Sequence, residues 1–138
     1  MKESKFRSKV VERLRSLLAF SVENYVADGV PDVCCTLGWI ETKIAGPPRT
    51  NGDIPIHIRP AQKIWLKNWR NAGCAAWVLT HYDNEGVHDI WLLHDPIWAC
   101  ENYGHADLDA LSKSALGWWV AAPSGSELIA ALRESYRA

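Results

Sequence analysis

Gly38 separates two short runs that are typical of strands, and this division is the strongest constraint on how the chain can fold. Residues 33–37 read Val-Cys-Cys-Thr-Leu and residues 39–44 read Trp-Ile-Glu-Thr-Lys-Ile. A glycine between two such runs favours a tight turn, so the pattern predicts paired strands over 32–37 and 39–45. Successive side chains of a strand point to opposite faces, so Glu41 and Lys43 share a face. Asp32, at the start of the first strand, can then lie near Glu41.

Two neighbouring carboxylates repel each other, and a divalent cation relieves that repulsion. Mg²⁺ takes oxygen ligands and is commonly held by one or two carboxylates together with substrate phosphates. A lysine beside the cation can orient a water molecule or offset charge on a phosphate. Asp32, Glu41 and Lys43 are therefore a minimal set for phosphodiester cleavage with Mg²⁺, or with Mn²⁺ in its place. The alternative interpretation is a surface hairpin that carries an ordinary Glu–Lys pair.

Several further motifs share an order that is more specific than any one of them. They are Val22-Glu23-Asn24, Gly29-Val30-Pro31-Asp32, Glu41-Thr42-Lys43, the segment 58–65 (Ile-Arg-Pro-Ala-Gln-Lys-Ile-Trp) and the segment 71–79 (Asn-Ala-Gly-Cys-Ala-Ala-Trp-Val-Leu). On these residues the chain resembles the PD-(D/E)XK nuclease superfamily, above all its small phage-type VRR-NUC-like and Holliday-junction-resolvase-like members. The resemblance covers roughly residues 20–95 and departs from the family pattern at Cys74, which replaces a second glycine.

The resemblance implies a role for each matching residue. Asp32 and Glu41 would bind the metal, with the backbone carbonyl of Thr42 as a third ligand and Glu23 completing the cluster. Lys43 would position the attacking water.

The same resemblance extends to the segment that follows the signature. Gln62 would lie near the active site, where its amide could bind a water or a phosphate oxygen, although capping or solvent exposure is the ordinary role of a glutamine in a first helical turn. Arg59, Lys63 and Arg49 are the predicted DNA-binding residues. Arg49 lies in the loop 46–53, which is either a substrate-contacting loop or a plain connector.

Composition indicates one globular domain over residues 1–138. Hydrophobic residues make up 48% and charged residues 22% of the chain, as in ordinary soluble domains. The chain contains no apolar stretch long enough for a bilayer and its first residues lack a secretory pattern, so we expect no membrane association and a cytoplasmic location. The resemblance implies that the cell is bacterial or a phage-infected host. The four cysteines have no metal-binding spacing and are expected to be reduced thiols.

Charge argues against an extended DNA-binding surface but leaves room for a local basic patch. The formal net charge is −1, whereas nucleic-acid-binding domains usually carry a basic excess. Acidic residues concentrate after position 81, so the first two-thirds of the chain is the more positive part.

The order of the predicted elements implies an α/β fold with a small mixed central sheet flanked by helices, and the resemblance implies that this core is restriction-endonuclease-like. The predicted elements are a helix over 3–20, an extended segment within 21–28, the two strands above, a short edge strand over 54–58, a helix that starts at Pro60 and ends at Gly73, a hairpin of strands 75–80 and 87–93, and a last helix from about 124 to 136. Residues 95–122 read as irregular and rich in tryptophan.

The function predicted from these residues is Mg²⁺-dependent hydrolysis of DNA, with a branched structure such as a Holliday junction as one possible substrate. Junction resolvases of the resembled superfamily act as two-fold symmetric dimers, which match the symmetry of a four-way junction. The resemblance therefore implies a homodimer. A flap or single-strand-end nuclease is the nearest alternative. A non-catalytic DNA-binding or assembly subunit that keeps the nuclease fold is the alternative from another class, and an unrelated α/β binding module with a chance motif is a third.

Overall fold

The protein is built on a mixed β-sheet whose strands follow one another in chain order. The computed structural model describes residues 1–22, 28–83 and 89–137. The sheet strands in these ranges are β1 (Phe20–Ser21), β2 (Val33–Cys35), β3 (Gly38–Ile44), β4 (Ala76–Asp83), β5 (Asp89–His94) and β6 (Gly117–Val120). β3 and β4 pair in parallel, and each of the other neighbouring pairs is antiparallel. The prediction of an α/β fold with a mixed sheet is confirmed.

Helices cover both faces of the sheet. They are α1 (Glu3–Arg13), α2 (Pro60–Asn71), α3 (Pro96–Asn102), α4 (Leu108–Ser114) and α5 (Gly125–Glu134), and a 3₁₀ turn spans Arg15–Leu17. Buried side chains of α1 and α5 pack with one face of the sheet, and those of α2, α3 and α4 pack with the other face. The alternation along β4 separates the two cores, because Ala76 and Val78 lie in one cluster while Trp77 and Leu79 lie in the other.

The parallel pairing of β3 and β4 requires a crossover, and α2 supplies it. Pro60 suits the first helical position because its missing N–H would have no intrahelical partner there. Trp39 on β3 contacts Trp65 and Trp69 on α2, with ring centroids 5.5 and 6.0 Å away. This aromatic contact packs the helix against the strand that carries Glu41 and Lys43.

The first predicted helix is shorter than expected. α1 ends at Arg13, and the left-handed backbone of Leu18 (φ 57°) turns the chain into β1. The apolar spacing continues to Leu17 because two residues beyond α1 still pack into the core. They are Leu14, just before the 3₁₀ turn, and Leu17, within it. Of the predicted extended segment 21–28, residues 23–27 lie outside the described ranges, and Glu23 is among them.

The edge strand predicted over 54–58 is wrong. Ile54, Ile56 and Ile58 are all buried, so the alternation is real, but the segment is not a strand of the sheet. The reason is that β3 already has β2 on one side and β4 on the other. The segment therefore lies over the sheet, where its three isoleucines pack into the core on the α2 face.

The segment 95–122 is regular rather than irregular. It contains α3, α4 and the edge strand β6. Both helices have an aspartate at the N-cap, Asp95 and Asp107, whose carboxylates accept hydrogen bonds from first-turn amides. These caps were readable signals, but seven-residue helices are too short to show a clear period.

Two smaller expectations meet direct observations. Cys34, Cys35, Cys74 and Cys100 form no disulfide, and Cys35 and Cys100 are buried. Within the ranges that the structure covers, every helix is too short or too polar to cross a bilayer.

Candidate metal centre

Asp32 is fixed against β3 by its neighbour across the strand pair. Because Val33 pairs with Ile40, the antiparallel register places Asp32 beside Glu41. One oxygen of Asp32 accepts a hydrogen bond from the Thr42 amide at 3.0 Å, and the other accepts one from the Thr42 hydroxyl at 2.7 Å. The carboxylate therefore has a defined position although it lies just outside β2.

Glu41 and Lys43 lie on the opposite face of β3 from Thr42 and form a buried cluster with Gln62 of α2. Glu41 is 2% exposed and Lys43 8% exposed. The Lys43 ammonium is 3.1 Å from Glu41 Oε2 and donates to Gln62 Oε1 at 2.9 Å, and Gln62 Nε2 donates to the same Glu41 oxygen at 2.8 Å. Charged side chains are almost never this buried unless they are paired.

Gln62 joins the start of α2 to this cluster. Its Oε1 also accepts a hydrogen bond from the Arg59 amide at 3.0 Å, which caps the helix. Since Oε1 accepts from two donors while Nε2 faces a carboxylate, the orientation of the amide is determined by the network. The two roles considered for Gln62, helix capping and a place in the site, are thus combined in one side chain.

Gly29 allows the loop before Asp32 to press against the same helix turn. Its φ of 89° lies in the left-handed region, and a Cβ there would be 2.3 Å from the carbonyl oxygen of Ala61. No side chain fits in that space without moving the backbone. The Gly-Val-Pro-Asp segment, which ends at Asp32, can therefore approach the first turn of α2 closely because residue 29 is glycine.

Both carboxylates resist ionisation in this setting. Burial, and then the neighbouring Asp32 carboxylate, raise the pKa of Glu41 to about 7 in spite of Lys43. Burial also raises the pKa of Asp32, although the hydrogen bonds from Thr42 act in the opposite direction. A cation between the two groups would favour the ionised form of both.

A third carboxylate, that of Glu3 in the first turn of α1, completes an acidic cluster. One oxygen of each of Glu3, Asp32 and Glu41 lies within 4.8 Å of the others. The donor set is entirely oxygen, which suits Mg²⁺ or Mn²⁺ and not the softer metals. Among the described residues, the polar contacts that hold Glu41 all involve Oε2, so its Oε1 is available to a ligand. The residues present therefore fit a hard divalent cation.

Thr42 was predicted to supply a backbone carbonyl to the metal. Its amide donates to Asp32, and the amide and carbonyl of a strand residue point to the same edge. The carbonyl of Thr42 therefore faces the strand edge at which Asp32 lies, as that role requires.

The acidic cluster opens into a cavity of about 540 Å³. It is lined by Glu3, Arg7, Val30, Asp32, Glu41, Lys43, Ile44, His57, Arg59 and Gln62. Asp32, Glu41, Lys43, Gln62 and Arg59 are thus brought together as predicted. Lys63 and Arg49 line a neighbouring cavity instead, and Glu23 falls outside the described residues.

Three polar residues of the cavity were not predicted from the sequence: Glu3, Arg7 and His57. Arg7 approaches Asp32 at 4.0 Å, and it follows Glu3 by one helical turn. The buried Phe6 and Val10 could have indicated which face of α1 meets the core, but not that this face lies over Asp32. Only the packing of α1 on the sheet brings Glu3 to the carboxylates.

Comparisons of the chain with protein-family models, with curated proteins and with solved structures found no match.

Substitution of Gly29 by alanine tests the contact between the loop and α2. We expect Gly29→Ala to lower the free energy of unfolding by more than Gly52→Ala, measured by urea denaturation. Gly52 has a similar φ of 91°, but the position that an added methyl group would take has no atom within 4 Å, so its variant carries only the backbone strain of about 1 kcal/mol. Equal losses in the two variants would contradict a tight approach of Gly29 to Ala61.

Substitution of Glu41 by glutamine tests the burial of its charge. The folded-state pKa of Glu41 is about 7 and the ordinary value is 4.5, so the folded wild type binds the extra proton and loses stability as the pH rises between these values. Glu41→Gln lacks this titration. We therefore measure the free energy of unfolding of both proteins in EDTA. The value for Glu41→Gln minus that for the wild type should increase from pH 4.5 to 7, by up to about 1.4 kcal/mol per pH unit. A difference that does not change with pH for Glu41→Gln would exclude the raised pKa.

Proposed function

We propose that this protein is a metal-dependent nuclease that hydrolyses phosphodiester bonds of DNA, with a catalytic centre of the PD-(D/E)XK type. The observation that carries the proposal is Glu41, a carboxylate that is 2% exposed beside a second carboxylate and yet opens into a cavity. Burial of such a group costs folding free energy unless a cation or proton is taken up with it. A bound cation would offset that cost, so the burial of Glu41 is consistent with a cation-binding site.

Asp32 and Glu41 would hold the metal, together with Glu3 and the carbonyl of Thr42. Each carboxylate oxygen has two lone pairs, so Asp32 can bind a cation while it accepts hydrogen bonds from Thr42. Bound Mg²⁺ would polarise the phosphodiester and offset its negative charge. Glu23 remains a proposed metal ligand in this hypothesis. Among the described residues, Glu3 supplies a third carboxylate next to Asp32 and Glu41.

Lys43 would act on the water and the phosphate. Its ammonium carries three N–H donors, and Gln62 and Glu41 engage two of them. The remaining donor can orient the water whose oxygen attacks phosphorus, and the positive charge offsets that of the transition state. As the new phosphorus–oxygen bond forms, the attacking water would give up one proton to solvent. The bond to the sugar oxygen would break at the same time, and that oxygen would take up a proton from solvent. Gln62 would keep Lys43 and Glu41 at their distances, which makes it a positioning residue.

Cationic side chains around the cavity support a polyanionic substrate. Arg7 and Arg59 line it along with Lys43. The Arg59 guanidinium pairs with Asp28 at 3.1 Å in an exposed ion pair, and such pairs are weak enough to exchange for a phosphate. A structure-specific activity on branched DNA and a homodimer remain part of the proposal, as does a cytoplasmic location.

A cleavage assay tests the proposal directly. Labelled four-way junction, flap, single-strand and duplex DNA are incubated with Mg²⁺, Mn²⁺ or EDTA. We expect cutting with either metal and none with EDTA, and at least a thousandfold loss of rate in Asp32→Ala, Glu41→Ala and Lys43→Ala because each removes charge stabilisation in the transition state, an effect of roughly 3–4 kcal/mol or more. Lys113→Ala, an exposed ion-pair variant on α4, is the matched control.

The results separate the candidate functions. Full activity in Lys43→Ala would overturn the mechanism. Tight DNA binding without cutting in any metal would favour the non-catalytic subunit instead.

The role of Glu3 is tested by metal binding rather than by activity. Removing one of three carboxylates should weaken Mg²⁺ binding by roughly tenfold in Glu3→Gln, measured as the Mg²⁺ concentration that gives half of the maximal rise in melting temperature. Glu12→Gln changes an exposed carboxylate on the same helix and should leave that concentration unchanged. The same value for wild type and Glu3→Gln would remove Glu3 from the metal centre.

A further inference from the structure

A second cavity adjoins the acidic one and differs from it in chemistry. Its volume is about 430 Å³, and the two cavities share Ile44 and His57 as lining residues. The second is lined by four basic side chains, Arg49, His57, Lys63 and His105, and no acidic side chain of the described ranges lines it. We refer to it as the basic cavity.

The cations of the basic cavity are placed to receive a phosphate. Arg49 donates one N–H to the carbonyl of Gly104 at 3.1 Å, which fixes the guanidinium and leaves its other donors unused by that contact. Lys63 forms no ion pair with any residue that the structure describes, so a bound anion need not displace a carboxylate from it. The first cavity has three carboxylates on its wall, whereas the described residues that line this one include an arginine and a lysine and no carboxylate.

The remaining wall of the basic cavity is apolar and rigid. Ile56 and Ile58 line the cavity and are each only 4% exposed. The Tyr103 hydroxyl lies 2.8 Å from the Thr80 hydroxyl and 2.8 Å from His94 Nδ1, and these contacts hold the ring in place. A wall of this kind suits the flat face of a base or a sugar and not a phosphate.

We propose that the basic cavity binds one unpaired nucleotide next to the phosphodiester bond that is cut, so that the enzyme acts on strands that are single-stranded at the cleavage site. The inference rests on the proposed nuclease function. The volume lies within the range of roughly 300–1,000 Å³ that small-molecule pockets occupy. A base inside a duplex is stacked and paired and cannot reach a recessed apolar wall, and taking it out costs a few kcal/mol, whereas an unpaired base has no such cost.

His57 lies where the two cavities meet and would contact the phosphate that connects the bound nucleotide to the cleaved bond. Lys63 and Arg49, predicted as DNA-binding residues, would then contact this flanking nucleotide rather than the phosphate under attack. The flap or single-strand-end nuclease is therefore favoured over an enzyme that cuts within continuous duplex.

Binding of DNA tests the cavity apart from the chemistry. The probes are a labelled oligothymidylate and its duplex with oligoadenylate, titrated with full-length protein by fluorescence anisotropy at several salt concentrations. Wild type should bind the single strand at least tenfold more tightly than the duplex. Lys63→Ala should weaken single-strand binding about tenfold. It should also make the negative slope of log affinity against log salt less steep by about 0.7, the value of one phosphate contact on a single strand.

Lys67→Ala is the matched control, because Lys67 lies one turn further along α2 and does not line the basic cavity. It should change neither quantity. Equal effects of Lys63→Ala and Lys67→Ala, or equal affinity for single strand and duplex, would overturn the nucleotide site.

Cleavage distinguishes this inference from the function on which it rests. In the metal-dependent assay, Lys63→Ala should raise KM for flap and single-strand DNA with little change in kcat. Cutting that prefers plain duplex and is indifferent to Lys63→Ala would overturn the inference and leave the nuclease. Specific single-strand binding that needs Lys63, with no cutting in any metal, would keep the nucleotide-binding cavity and overturn the nuclease.

Discussion

The burial of the Glu41 carboxylate beside Asp32 is the constraint around which this molecule is arranged. An ionised carboxylate that leaves water without compensation costs several kcal/mol, and a second carboxylate nearby adds repulsion. Two neighbouring side chains offset part of this cost. Lys43, two residues further along β3, faces the same side as Glu41, and Gln62 of α2 forms hydrogen bonds with both. The compensation is incomplete, since the pKa of Glu41 is still raised to about 7. The remaining cost is what a bound cation would remove.

α2 contributes both to the packing of the core and to the geometry of the charged site. Its tryptophans pack on Trp39 and anchor the crossover between the parallel strands, while Gln62 in its first turn caps the helix and organises the charged cluster. Gly29 brings the loop before Asp32 against that same turn. Movement of the start of α2 would therefore disturb the positions of Asp32, Glu41 and Lys43 together. Core packing and the geometry of the site are coupled through one helix terminus.

The two adjoining cavities differ in charge in a way that suits the proposed nuclease. The first combines three carboxylates, which would attract a cation, with two arginines and a lysine. The second gathers arginine, lysine and histidine against buried isoleucines, which favours a nucleotide without any metal. Net charge over the whole chain is −1, so the proposed interaction with DNA depends on this local distribution of charge and not on an overall basic surface.

The local part of the site was determined by the sequence alone. A two-residue alternation placed Glu41 and Lys43 on one face, and the tight turn between β2 and β3 brought Asp32 beside Glu41, because both effects act between residues close in the chain. The same rule failed for residues 54–58, whose alternation reflects burial over the sheet, since both sides of β3 were already occupied. Only the tertiary structure decided that Glu3 joins the carboxylates and that Lys63 and Arg49 face a separate cavity. These contacts join segments tens of residues apart, and they depend on which faces of α1 and α2 pack on the sheet, which no local period specifies.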